Sequence, residues 1–199
     1  MRRQMQTILL GSVVVAALLA AVYVYSVTDA GLDTSPLPRP DVNAPFIRTP
    51  EEIVRAMLEL AEPEPDEVLY DLGCGDGRIV IAAARDYGCR AVGYDIDPQR
   101  VIEARENVRQ AGLEDRVAIV EQDIFTLDLR PADVVTIYLL PRLNAKLLPQ
   151  LRQLRPGARI VSHDFDLPGV MPDRGIEINE PPRDVEHSLY LWTAPLRSE

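Results

Sequence analysis

The sequence predicts a doubly wound α/β fold, a seven-stranded Rossmann-like sheet with helices on both faces, and three observations carry that expectation. Apolar runs of strand length alternate with helix-patterned segments from Thr49 onward. A glycine-rich turn, Asp71-Leu72-Gly73-Cys74-Gly75-Asp76-Gly77, joins a strand-like run to an apolar helix. An acid, Asp95, closes the next strand-like run about 20 residues beyond the glycines.

From the N-terminus, Ile8 through Val27 carries no charge, follows Arg2 and Arg3, and is closed by Asp29. The run is long enough to cross a bilayer and longer than the apolar core of a signal peptide, and Thr28-Asp29-Ala30 is a poor cleavage site. Residues 1–28 are therefore expected to be a retained single-pass transmembrane helix, with Tyr23 and Tyr25 at an interface. Arg2 and Arg3 favour a cytoplasmic N-terminus, but the cofactor argued for below is made in the cytosol. The folded domain is accordingly expected on the cytoplasmic face of a membrane. Residues 29–48, with Pro36, Pro38, Pro40 and Pro45, read as a stiff linker, and residues 49–199 as one domain.

Within that domain, Thr49-Pro50-Glu51-Glu52 has the form of a capping box, with Thr49 as N-cap and proline at the first helical position. The helix runs to about Ala61 and Pro63 and Pro65 stop it. Val68-Leu69-Tyr70 leads into the first strand end. Ile79 to Ala84 is apolar all round, which suits a helix buried on a sheet, and Gly88 ends it. Ala91 to Asp95 is the second strand, and Asp97-Pro98 opens a helix that Gly112 closes. Its Arg100, Glu103, Arg105, Glu106 and Arg109 form a solvated face. Val117 to Val120 is the third strand and Asp133 to Leu139 the fourth. Leu143, Leu147, Leu151 and Leu154 mark a helix kinked at Pro149. Arg159 to Ser162 is the fifth strand, and late strands near Ile176 to Ile178 and Ser188 to Thr193 close the sheet. Ligands of such sheets bind at the C-terminal strand ends.

The glycine turn carries the chemistry. Glycines at alternate positions let the backbone approach a ligand closely, and the helix that follows opens with free N–H groups. The spacing Gly-x-Gly-x-Gly differs from the dinucleotide fingerprint, which would need glycine or alanine at Arg78. A carboxylate at Asp71 repels a pyrophosphate and suits an α-amino or sulfonium group, which points to S-adenosylmethionine. Asp95 is the candidate for the ribose hydroxyls. The plainer alternative for these residues is a tight turn with a surface acid.

With 199 residues, 47% hydrophobic and 26% charged, the chain has room for one ordinary domain plus extensions. A net charge of −10 argues against nucleic acid as a partner, because phosphate binding draws on clustered lysine and arginine. An acidic surface attracts basic proteins or small cations, or simply solvates the fold. Cys74 and Cys89, the only cysteines, are expected as free thiols, since a helix separates the sheet edges that bear them. No spacing supports a metal site.

Val68-Leu69-Tyr70-Asp71-Leu72-Gly73-Cys74-Gly75-Asp76-Gly77 and Gly93-Tyr94-Asp95 resemble the first two motifs of class I S-adenosylmethionine-dependent methyltransferases. More narrowly, Pro45-Phe46-Ile47-Arg48-Thr49-Pro50 and Ser162-His163-Asp164-Phe165 resemble membrane-anchored protein-lysine methyltransferases of the ATP synthase c subunit and the adenine nucleotide translocase. The resemblance implies a lysine side chain of a membrane-associated protein as methyl acceptor and Phe46 to Thr49 as a lid over the cofactor. It implies cofactor contacts at Asp71, Gly73, Gly75 and Asp95, with Asp123 and Ile124 at the adenine. In place of the Asn/Asp-Pro-Pro-Tyr signature of amine methyltransferases stands Tyr138-Leu139-Leu140-Pro141. Tyr138 is the candidate to line the acceptor slot, with His163 and Asp164 orienting the amine or taking its proton. Core packing is the alternative for Tyr138, and a satisfied structural histidine the alternative for His163. His187 has no partner that the sequence names. Methylation of a lipid or small hydrophobic amine, and cofactor binding without catalysis, are the competing functions.

Overall fold

Strands of valine, leucine and isoleucine too apolar for a solvent face stack into one seven-stranded sheet. The computed structural model describes residues 46–180 and 185–198. In chain order these form α1 (Glu51–Ala61), β1 (Val68–Leu72), α2 (Arg78–Ala82) continued by a π-helical turn (Ala83–Tyr87), β2 (Arg90–Asp95), α3 (Pro98–Ala111) and β3 (Val117–Glu121). A short 3-10 turn (Ile124–Thr126), β4 (Val134–Ile137), α4 (Pro141–Leu151), β5 (Arg159–His163), β6 (Arg174–Glu180) and β7 (Val185–Thr193) follow.

The strand order is β3-β2-β1-β4-β5-β7-β6. The first five strands pair in parallel, β7 runs antiparallel to β5, and β6 runs antiparallel to β7. The chain winds outward from β1 through β2 to β3, then crosses back to lay β4 on the other side of β1. Carboxyl ends of parallel strands diverge at such a reversal and leave a crevice.

One core joins α1, α2 and α3 to Leu69, Val134, Val161, Leu189 and Leu191. A second joins α4 to Val135, Ile137, Ile160 and Trp192 on the opposite face. β4 is buried throughout, as a central parallel strand must be. Because side chains alternate, Asp71 and Thr136 share the α1 face with Leu69 and Val134, and His163 and His187 share it with Val161 and Leu189.

Several local expectations change. Pro50, not Thr49, is the N-cap of α1, and no side chain caps it; the Thr49 carbonyl instead accepts from Arg78 at 2.7 Å. The run Ile79–Ala84 widens into the π-helical turn before Gly88 closes it in the left-handed region. Asp97 does cap α3, accepting from the Gln99 N–H at 2.8 Å, and Gly112 ends it. The last two strands are longer than their apolar residues suggest. Their antiparallel ladder runs from Arg174 opposite Leu191 to Glu180 opposite Val185, so the polar Glu177 and Asn179 belong to it. Cys74 and Cys89 are buried free thiols.

The expectation of a single-pass membrane protein with its domain on the cytoplasmic face is overturned: among the described residues no helix is long and apolar enough to cross a membrane. The run Ile8–Val27 on which it rested lies outside the described residues, as does most of the linker.

Gly93 tests the packing between β2 and the glycine turn. A Cβ there would lie 2.8 Å from Cys74 Sγ and 3.0 Å from Ile119 Cδ1. Gly93→Ala is expected to cost about 1–3 kcal/mol, the range for overpacking a filled core, seen as a lower denaturant midpoint at unchanged slope.

Candidate active site

β1 carries Asp71 to the C-terminal edge of the sheet, and burial leaves its carboxylate half satisfied. Thr136, directly across on β4, donates to Asp71 Oδ1 at 2.8 Å. Asp71 Oδ2 is buried with no hydrogen-bond partner. Burial, reinforced by the charges of Asp95 and Asp76 and opposed by the Thr136 bond, lifts its pKa from 3.8 to about 7. An unmet buried acceptor is costly. An α-amino cation set against Oδ2 would supply the donor and restore the charge.

The chain then turns through Gly73, Gly75 and Gly77 with φ of 84°, 55° and 81°, a region that side chains disfavour. The N–H groups of Gly73 and Cys74 both donate to the Tyr94 carbonyl, at 2.8 and 2.9 Å, which ties the turn to β2. Asp95 at the end of β2 accepts from the Gly75 N–H through Oδ2 and from the Asp97 N–H through Oδ1, each at 2.9 Å. Asp71, Gly73, Gly75 and Asp95 thus form one connected group. The Gln122 N–H joins the end of β3 to it by donating to the Asp95 carbonyl at 2.9 Å. Asp123 caps the 3-10 turn by accepting from the Phe125 N–H at 2.9 Å, and Ile124 is buried beside it.

Residues 46–49 lie over the glycine turn. A Cβ on Gly75 would fall 2.2 Å from Phe46 Cε2, so the Phe46 ring rests on that backbone, with the Arg100 guanidinium 4.8 Å above the ring. Arg78 grips Asp76 through Nη2 at 2.7 Å and Nε at 3.0 Å while its Nη1 holds the Thr49 carbonyl. Burial works against the Asp76 charge, but the bonds and charge of Arg78, with Arg48, outweigh it and hold the carboxyl below its ordinary range.

A second group gathers one strand further on. The Tyr138 hydroxyl donates to Asp164 Oδ2 at 3.0 Å, and its ring lies 3.9 Å from that of His163. Burial, and then the Asp164 charge and bond, push the phenol up to about 12. His163 is fully buried; desolvation lowers it to about 4, against the pull of Asp164. His187 joins this group, with Nδ1 2.9 Å from His163 Nε2. The sequence missed both His187 and Thr136. Thr136 precedes Tyr138 by two positions and so shares its face, but only the β1–β4 register sets it against Asp71.

The family model of the ANTKMT methyltransferase domain matches residues 71–174. A protein-lysine N-methyltransferase of Saccharolobus islandicus is 41% identical over 152 residues, 75% of this chain and 93% of that one. The adenine nucleotide translocase lysine N-methyltransferase of Mus musculus is 35% identical over 66% of this chain, which spans 57% of its length. A solved structure of an RNA methyltransferase from Salinibacter ruber, in complex with S-adenosyl-L-homocysteine, shares 48% identity with a TM-score of 0.70, over 75% of this chain and 94% of that one.

The buried acid has a measurable signature. Its folded pKa of about 7 lies above the ordinary 3.8, so the folded state holds the extra proton between those values. Stability is therefore expected to fall as pH rises from about 4 to about 7 and to level off above. Asp71→Asn, which keeps the acceptor for Thr136, should flatten that slope in denaturant titrations at successive pH values.

Proposed function

Because the chain belongs to the ANTKMT methyltransferase domain family, and so is an S-adenosylmethionine-dependent methyltransferase, we propose that it is a protein-lysine N-methyltransferase. The observation that carries the reading is the pairing of two groups on adjoining strand ends. One is the Asp71 carboxylate with an unmet oxygen; the other is the Tyr138, His163 and Asp164 cluster one strand away.

In this reading Asp71 takes the amino group of the cofactor, Gly73 and Gly75 admit it to the backbone, and Asp95 holds its ribose. Asp123 and Ile124 meet the adenine. When bound, the cofactor supplies an electrophilic methyl group on a sulfonium. The protein's part is to hold the acceptor nitrogen in line and exclude water; no metal is needed. An alkylammonium finds at Asp164 a carboxylate and at Tyr138 an aromatic face, both suited to a cation. The name of the Saccharolobus islandicus relative supports lysine. That of the Salinibacter ruber structure favours RNA, against which stands the net charge of −10.

Cell extract incubated with the protein and methyl-labelled S-adenosylmethionine separates the readings. Label on nuclease-resistant protein, mapped to lysine, is expected. Label in RNA, in the lipid extract or nowhere would favour the RNA, lipid-amine or non-catalytic readings in turn. Asp95→Ala should weaken S-adenosylhomocysteine binding at least about tenfold by calorimetry, roughly one charge-assisted hydrogen bond. Tyr138→Phe should lower turnover severalfold while leaving that affinity unchanged.

A further inference from the structure

Three segments bring four polar side chains together at one edge of the sheet: Tyr138 after β4, His163 closing β5 with Asp164 just beyond, and His187 in β7. Tyr138 uses Asp164 Oδ2. The other contacts converge on Oδ1: the Ser188 N–H at 3.2 Å, His187 Nδ1 at 3.3 Å and His163 Nε2 at 3.4 Å. The Asp164 backbone is held at φ 61°, in the left-handed region, and strain of this kind gathers at working sites. Asp164 is the most open of the three, its side chain 25% exposed against 9% for His187 and none for His163.

We propose that His187 receives the proton that the acceptor ammonium loses, with Asp164 relaying it, so that a histidine on β7 completes the acceptor site. The proposal rests on the lysine reading above. A lysine ammonium cannot attack until it is deprotonated, and its ordinary pKa near 10.4 makes the free amine scarce at neutral pH. In the step, the ammonium N–H bond breaks toward Asp164. The freed nitrogen lone pair then forms the N–C bond to the methyl group, and the C–S pair stays on sulfur. The proton moves from Asp164 to His187 Nδ1 and leaves to solvent back through Asp164, whose side chain is the more open, one proton released for each methyl transferred.

The geometry supplies the places for that proton. His163 Nε2 and His187 Nδ1 lie 2.9 Å apart, so a single hydrogen lies between them and either ring can hold it. When His187 is protonated, both N–H groups can aim at Asp164 Oδ1, which already lies within 3.4 Å of each nitrogen. Only hydrogens move. His163 is sealed from water while the His187 side chain keeps 9% of its surface exposed, and the second proton is accordingly given to His187 in this proposal. The titratable groups in contact with His187 include His163 and Asp164, with Tyr138 bound to the latter. Across β6 its register partner is the apolar Ile178. α1 turns Ile53, Val54, Met57 and Leu58 inward and keeps Glu51, Glu52, Arg55 and Glu59 exposed.

The test is methyl transfer from labelled S-adenosylmethionine to poly-L-lysine by the full chain and by His187→Gln, which can hydrogen-bond but takes no proton. The variant is expected to keep its melting temperature and its KM for S-adenosylmethionine within about twofold, and to lose about a hundredfold in kcat at pH 7, the lower end for general base catalysis. That loss should shrink about tenfold per pH unit as alkali frees the amine, and imidazole should restore part of it. Parallel pH profiles for the two proteins, or equal losses in kcat and cofactor binding, would overturn the relay. Activity lost to a chelator and regained with zinc would do so too, by making these residues a metal site. Wild-type label in RNA or lipid but not in poly-L-lysine would remove the lysine reading itself, a result distinct from a labelled polymer with parallel profiles.

Discussion

The organising constraint is a carboxylate buried with one oxygen bonded and the other not. Asp71 ends the central strand β1, where the sheet's winding reverses, and Thr136 satisfies only Oδ1. An isolated folded chain gains nothing from this arrangement, since burial alone pushes the group toward its neutral form. It makes sense for a site that receives a cation. The glycines at 73 and 75, the tie to the Tyr94 carbonyl and the bond from Gly75 to Asp95 all hold the turn in place around that acid.

The reversal between β1 and β4 also divides the labour. Strands β3, β2 and β1 end in acids and backbone groups of the kind that grip a nucleoside. β4, β5 and β7 end in aromatic rings, imidazoles and one carboxylate. The two sets face each other across adjacent strands, so a donor and an acceptor bound to them would meet at the crevice. Only the ordering of strands in the sheet creates this meeting, and the ordering follows from the cores: three helices cover one face and α4 the other.

Much of this was legible in the residues. Apolar periodicity found the strands of the parallel sheet because they are buried on both faces, and Asp97-Pro98 with Gly112 bounded α3 by backbone chemistry that is local to those positions. The β6–β7 hairpin was underestimated because its edge residues are polar and its length is set by pairing. Thr49 looked like a helix cap, but a cap is only one use of a threonine, and here Arg78 claims its carbonyl. His187 could not be paired in advance, since an antiparallel register between segments far apart in sequence has no local signal.

The contact of Phe46 with Gly75 has a consequence for how relatives of this chain diverge. Any side chain at position 75 would occupy the volume of the aromatic ring, and any loss of the ring would uncover the turn beneath it. The two positions therefore bear a single joint restraint and should drift together through evolution, a covariation linking the stretch ahead of the first helix to the floor of the crevice.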